Sequence, residues 1–417
     1  VFSRFRSLLI VTTLFLGGCG DVLQIPPPTY RRSEDLGTLL GTKPTLQSKV
    51  VEVVDRNFGA QPREIRVPRG SGLPGGGIHL AAYASMKDPD GEDRRPVFHR
   101  DDEGNLIPQA GGYELYRRHC LHCHGVSGDG YGPTAPFLFP RPRDFRRGIF
   151  KFTSTGSKPT RDDLVKTVRD GLHGTSMPAY EALMSPAEIE QVVDYVMFLS
   201  MRGEFEYRLI QEVKDLDDND PEALPDDIID EILELSLITW SDADALVRTP
   251  DTPRTPPSPE SIARGKQLYL GRTAEKLQCS GCHGTTAQGN GPSWVDMETF
   301  EHYVFRLDTS RARFEALGEY AESRQKLWKD DWGDPIRPAN LTKGVYKGGR
   351  RPIDLYWRIY NGIGQAVMPA HSNLKSDQIW DLVNFLFALP HEPELLADVS
   401  DSQPIPVLAD LGSETDR

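Results

Sequence analysis

Cysteine, basic charge and long apolar runs are all in short supply in this chain, and each shortage excludes something. There are five cysteines in 417 residues. An odd number cannot all pair within one chain, and so few cannot form a disulfide-stapled secreted scaffold. Lys and Arg total 48 against 61 Asp and Glu, a net charge of −13. That balance disfavours a general nucleic-acid binder, which needs a basic surface to displace counterions. No stretch of about 20 apolar residues offers a membrane-spanning helix. Strict apolar–polar alternation never runs long enough to build a sheet, so helix is the expected regular structure. Glycine (38) and proline (33) are plentiful instead. Both exceed ordinary usage of about 7 % and 5 %, which predicts long irregular segments between compact units.

The N-terminus has the layout of an export signal. Arg4 and Arg6 precede an apolar run from Leu8 to Leu16 that contains no acidic residue. Such a run is too short to span a bilayer and reads as a secretory signal. It ends Leu16-Gly17-Gly18-Cys19, which resembles a bacterial lipobox. The resemblance implies removal of residues 1–18 and acylation of Cys19, which would hold the protein at a membrane surface without a spanning helix. The alternative is a plain cysteine in an ordinary signal peptide. Residues 19–110 contain Pro26-Pro27-Pro28 and a glycine-rich run from Gly70 to Gly77. That composition predicts an extended tether. An ordered strap is the other reading, with Val50 to Val54 as a short strand or helical turn.

Beyond residue 110 the sequence repeats itself. Cys120-Leu121-His122-Cys123-His124 recurs as Cys279-Ser280-Gly281-Cys282-His283. Arg141-Pro142 through Gly148-Ile149-Phe150-Lys151 recurs as Arg337-Pro338 through Gly344-Val345-Tyr346-Lys347. Met177-Pro178-Ala179 recurs as Met368-Pro369-Ala370, and Val193-Asp194-Tyr195-Val196 as Val383-Asn384-Phe385-Leu386. Four landmarks in one order define two copies of a domain, 111–203 and 260–392. The second copy is longer by a stretch at 293–335 that includes Trp294, Trp328 and Trp332 and has helical composition from Ser310 to Lys329. It reads as a helical insertion. Residues 204–259 form an acidic linker, with Ile228, Ile229, Ile232, Leu233 and Leu235 spaced for a short amphipathic helix and five prolines between Thr249 and Pro259. The tail 393–417 reads as irregular.

Helix signals recur in both copies. Tyr113, Tyr116 and Cys120 share a face, and Ser258-Pro259 opens a helix carrying Ile262 and Tyr269. Thr160 to Asp170 presents Leu164, Val165 and Val168 before a glycine stop at Gly171. Ser185-Pro186-Ala187-Glu188 is a capping box.

Two cysteines three positions apart with histidine next suit covalent haem: the thiols form thioethers to two vinyl groups, and the histidine ligates iron. A thioredoxin-like pair needs a strand-to-helix setting that is absent here, and a zinc site would need the two motifs to converge. Cys120, Cys123, Cys279 and Cys282 carry two haems, Cys19 carries lipid, and no cysteine remains as a thiolate ligand or for a disulfide. His124 and His283 are the first axial ligands. Met177 and Met368, each in a loop before proline and ahead of a final helix, are the expected second ligands; His173 and His371 compete from the same loops. Met184, Met197 and Met201 are expected in the core, and His119 and His122 at the surface. Arg141, Arg143 and Arg337 are candidate donors to haem propionates.

The order of glycine–aromatic helix, Cys-x-x-Cys-His-Gly, proline-rich loop, Met-Pro and final aromatic-bearing helix resembles class I cytochrome c. Gly112, Tyr116, Cys120 to Gly125, Met177-Pro178 and Tyr195 carry the resemblance in one copy. Gly265, Tyr269, Cys279 to Gly284, Met368-Pro369 and Phe385 carry it in the other. It implies an all-α fold of two tandem domains, with two covalently bound haem c groups filling much of each core. The second copy departs from it by its insertion and by ten positions instead of four between Tyr269 and Cys279. The layout is similar to the dihaem subunit of cbb-type oxidases, with a lipid in place of a membrane helix. The function this implies is a carrier, not an enzyme, on the periplasmic side of a bacterial envelope. It would pass electrons from a quinol-oxidising complex or dehydrogenase to an oxidase, reductase or soluble cytochrome. A peroxidase-like dihaem oxidoreductase, or a fixed subunit of a larger respiratory complex, is the alternative.

Overall fold

The computed structural model describes residues 28–62, 64–74, 80, 86–87, 93–94, 98–100, 104, 106–108, 111–219, 224–277, 279–291, 293, 336–364, 366–397 and 399. Cys19, the signal-like residues 1–18, residues 294–335 of the expected insertion and the tail from 400 lie outside the described residues.

The described chain is helical. In order come α1 (Glu34–Leu40), α2 (Pro44–Phe58), α3 (Gly112–His119), α4 (Leu121–His124), α5 (Arg161–Asp170) and α6 (Pro186–Val213). They are followed by α7 (Asp226–Ser241), α8 (Pro259–Tyr269), α9 (Cys279–His283), α10 (Pro352–Asn361) and α11 (Ser376–Ala388). Between α2 and α3 lie four strands of two or three residues. They pair as two antiparallel hairpins, β1 (Met86–Lys87) with β2 (Asp93–Arg94) and β3 (Phe98–Arg100) with β4 (Leu106–Pro108). These pieces are too short to show in an alternation pattern, and they leave the helical class unchanged.

The caps read from sequence form. Ser185 Oγ accepts from the Glu188 amide while the Glu188 carboxylate accepts from the Ser185 amide, with Pro186 in the first turn of α6. Thr160 and Asp163 make the same exchange at α5. Ser258 Oγ accepts from the Ser261 amide at the start of α8.

In each copy the first helix crosses the last at a glycine. A Cβ at Gly112 would overlap the Gln191 carbonyl on α6, and one at Gly265 the Asp381 carbonyl on α11. One turn on, Tyr116 packs on Tyr195 at 5.2 Å between ring centroids, and Tyr269 packs on Phe385 at 5.3 Å. The crossing is built twice, so the repeat in sequence is a repeat in structure.

The segment read as an extended tether is not one over 28–58; it is a packed strap. Leu46, Val50, Val53, Val54 and Phe58 recur at helical spacing and are buried, all on α2. Phe58 lies 5.7 Å from both Phe198 and Phe205 of α6. The ordered strap, the other reading of this segment, is what forms there; the flanking prolines and glycines masked how far its helix face runs. Polar contacts fasten the strap. Tyr30 and Tyr195 hydroxyls are 3.3 Å apart, Arg32 and Arg202 both pair with Asp55 at 2.6 and 3.2 Å, and the Ser33 amide donates to Glu206 at 3.2 Å.

The linker is likewise structured. α6 runs ten residues past the expected boundary at 203, and α7 packs on it, with Trp240 Nε1 donating to Glu204 at 3.3 Å. The proline-rich connector lies along the second domain. There the Thr252 carbonyl accepts from Trp380 Nε1 at 2.9 Å, and Arg254 donates to Asn384 Oδ1 at 2.7 Å. The tail contributes Leu396 and Val399 to the second core.

If the strap belongs to the first core, Phe58→Ala will lower the stability of that domain by about 3–5 kcal/mol, the usual cost of deleting a buried phenylalanine. Denaturant unfolding checks this; a loose tether would leave the midpoint where it was.

Candidate functional site

Each attachment motif sits on a helix of about one turn. In the first copy the amides of Cys123 and His124 donate to the Cys120 carbonyl at 3.1 and 2.9 Å, which gathers both thiols and the imidazole on one turn. α9 does the same for Cys279, Cys282 and His283. A glycine then leaves the helix with positive φ, +75° at Gly125 and +81° at Gly284. The following loops match bond for bond. Gly130 donates to the His124 carbonyl at 2.9 Å and Gly289 to that of His283 at 2.8 Å. Gly132 donates to Cys123 at 3.2 Å and Gly291 to Cys282 at 3.0 Å. The tyrosine of the first helix closes the ring: Tyr116 Oη donates to the Gly125 carbonyl at 2.7 Å and Tyr269 Oη to that of Gly284 at 2.6 Å.

The imidazoles are held for ligation. His283 Nδ1 donates to the Ala339 carbonyl at 2.9 Å; a carbonyl only accepts, so Nδ1 carries the proton and Nε2 keeps its lone pair. In the first copy the carbonyl of Arg143, at the equivalent position of the repeat, faces His124. Burial pushes the His124 pKa down to about 4, and the Arg143 carbonyl offsets part of that. Burial also lowers His283. Both rings are therefore neutral at pH 7, the form that binds a metal. Sequence alone did not single out the Ala339 carbonyl or the two tyrosine hydroxyls. The repeated Arg-Pro-x and Tyr positions were the available signal.

None of the four described cysteines is in a disulfide. Burial pushes the Cys120 and Cys279 thiols up to about 12, so they are protonated and poor thiolate ligands or exchange nucleophiles. The two motifs belong to separate cores, with Cys120 against the first and Cys279 against the second. A shared zinc site is thereby excluded among the described residues, where no group of three or more His, Cys, Asp or Glu converges.

The methionine loops also match. The Leu172 amide donates to the Met177 carbonyl at 3.1 Å, and the Ile363 amide to that of Met368 at 3.2 Å. Both methionines are half-buried, each against its own core. His371 occupies the position of Tyr180, where both backbones bond to the end of the preceding helix, and His173 is exposed. Met184, Met197 and Met201 are buried in the first core, as expected. His122 is exposed; the His119 carbonyl accepts from Tyr180 Oη at 3.0 Å. Arg141 is half-buried and Arg337 exposed.

Residues 108–196 match the family model described as cytochrome c oxidase, cbb3-type, subunit III, and residues 262–390 match the cytochrome c model. The chain carries two cytochrome c domains in tandem. Cytochrome c domains bind haem c and transfer electrons, and the donor set fits that group: two thiols, a neutral buried imidazole and a half-buried thioether in each copy. No curated protein matches the chain. It is similar to a chain of the Kuenenia stuttgartiensis reducing HAO-like protein complex, at 24 % identity and a TM-score of 0.43, over 70 % of this chain and 97 % of that one.

The tyrosine bridge is testable in both cytochrome c domains. Tyr116→Phe and Tyr269→Phe each leave a buried glycine carbonyl unsatisfied, an expected cost of about 1–3 kcal/mol. Equal losses in thermal or denaturant unfolding are expected for the two variants. A loss in one copy alone would mean that the two loops are not held alike.

Proposed function

We propose that this chain is a two-haem electron carrier tethered to a membrane on the periplasmic side of a bacterial envelope. The observation that carries the reading is the duplicated one-turn helix, which gathers two thiols and a buried imidazole in each copy, with the His283 proton fixed on Nδ1 in the second. In this reading Cys120 and Cys123 hold one haem c and Cys279 and Cys282 the other. His124 and Met177 would supply the iron ligands of the first haem, and His283 and Met368 those of the second. Bound haem iron takes up and releases one electron by cycling between ferrous and ferric states, and His/Met ligation favours the higher potentials of that range.

The chain's own residues do the rest. The Ala339 carbonyl orients the His283 imidazole, the Arg143 carbonyl faces His124, and the Met-Pro loops would bring a soft thioether to each site. Arg141 and Arg337 stand in the loops that supply these carbonyls and would pair with propionates. Cys19 would carry the lipid. The partners in this reading are a quinol-oxidising complex or dehydrogenase as donor, and an oxidase, reductase or soluble cytochrome as acceptor. A site filled by two strong ligands offers no open position for a substrate, which favours a carrier over a peroxidase.

Four variants test the parts separately. Mass spectrometry of the denatured wild-type protein will show two haems retained, and Cys120→Ala/Cys123→Ala will retain one. Met177→Ala and Met368→Ala will each remove part of the weak far-red band of the oxidised protein and lower one potential. High-spin iron in the untouched protein would overturn the carrier reading. Cys19→Ser will move the protein from the detergent-extracted membrane fraction to the soluble periplasm.

A further inference from the structure

The two cytochrome c domains meet along equivalent segments. Ile149 lies 3.7 Å from the Cβ position of Gly364, and Val345 lies 3.4 Å from that of Gly174. Ile149 and Val345 are repeat equivalents, and the two glycines stand in the loops that lead to Met177 and Met368. The contact is thus reciprocal, and both methionine loops border it.

Three residues on, the symmetry breaks in a complementary way. The first copy has Phe152 where the second has Gly348. A Cβ at Gly348, whose φ is +77°, would overlap the Phe152 ring. Beside it a Cβ at Gly349, φ +119°, would overlap the Lys166 ammonium. Lys166 of α5 crosses the boundary to donate to the Gly348 carbonyl at 2.8 Å and to pair with Asp354 of α10 at 3.2 Å. Arg358 donates to the Gly349 carbonyl at 2.6 Å and lies over the Phe152 ring at 5.6 Å. The Lys166 and Asp354 side chains are only 17 % and 3 % exposed.

Two identical copies meeting about a two-fold axis would oppose phenylalanine to phenylalanine or glycine to glycine here. Large against small at one repeat position is what a fixed pair of unlike partners requires. A mostly buried ion pair contributes little net stability and is best explained by the specific geometry it enforces. We propose that this seam locks the two domains into one unit and is where electrons cross between them, with Phe152 and Lys166 as positioning residues. The proposal rests on the two-haem reading. The step is a single electron transfer: the iron of one domain goes from ferrous to ferric as the other goes from ferric to ferrous, with no further reactant.

The test uses the full-length protein with its haems, compared with Phe152→Ala, Lys166→Gln and the double variant. Haem content by mass comes first, and a count other than two in the wild type sinks the two-haem reading itself. With two haems present, rapid photoreduction reads the exchange rate between them, and small-angle X-ray scattering reads the domain arrangement. The double variant is expected to slow exchange by about tenfold or more, the scale of loss that a small misplacement of reacting centres brings. Its scattering should show the domains apart while spectra and both potentials stay unchanged. Unchanged scattering and exchange in the double variant would overturn the proposal. Should the phenylalanine variants fail to fold, Lys166→Gln and the wild-type scattering still decide it, since wild-type domains already apart in solution would overturn it as well.

Discussion

Two helices crossing with no room for one carbon atom set the geometry of each half of this molecule. At Gly112 the backbone of α3 lies against the Gln191 carbonyl of α6, and at Gly265 that of α8 lies against the Asp381 carbonyl of α11. Because the axes come this close, the tyrosine one turn later is driven into the aromatic of the last helix. Its hydroxyl then donates to the carbonyl of the glycine that follows the motif histidine. That bond anchors the loop whose next turns take up the carbonyls of the attachment helix. The orientation of each imidazole therefore traces back to a missing side chain upstream, at Gly112 for His124 and at Gly265 for His283. A larger residue at either glycine would push the helices apart and release the tyrosine, so the site would loosen before any ligand was touched.

The first domain has built further on this frame. α6 continues to Val213, and its distal half serves α2 and α7 as the crossing half serves α3. Gly203, within that helix, is a packing glycine, since a Cβ there would overlap Arg146. Arg146 is held by Asp144 at 2.7 Å and is itself buried. The loop that supplies the Arg143 carbonyl to His124 is thus braced against the same helix that carries the strap. Buried charge here is costly to strand: Arg202, Glu206 and Asp55 must be satisfied together, which ties the strap to the domain as one cooperative piece.

What was legible in the sequence was whatever depends on short-range spacing. The attachment motifs, the helix caps and the Met-Pro loops are set within a few residues, so residue type and interval were enough. The strap was legible only as one of two readings, because its helix face is short and is diluted by proline and glycine on both sides. The length of α6 was not legible for a related reason: a glycine reads the same whether it ends a helix or admits a neighbour. The seam escaped for a different reason. Phe152 and Gly348 are unremarkable singly, and their relation exists only once the copies are aligned and brought together.

The strap also changes what a lipid on Cys19 would do. A tether of some 90 residues would let the haem domains roam far from the bilayer. With Tyr30 and the two strap helices packed on the first domain, only about ten residues separate Cys19 from its folded part. At about 3.5 Å per extended residue that leash spans no more than about 40 Å. The first domain would then stay within roughly its own diameter of the membrane, and the seam would carry that restraint to the second. Such a carrier would serve partners whose redox sites lie near the same surface, by presenting one rigid face to them instead of ranging across the compartment. Reach is thus exchanged for a high local concentration at the membrane, as expected when a short linker replaces a long one.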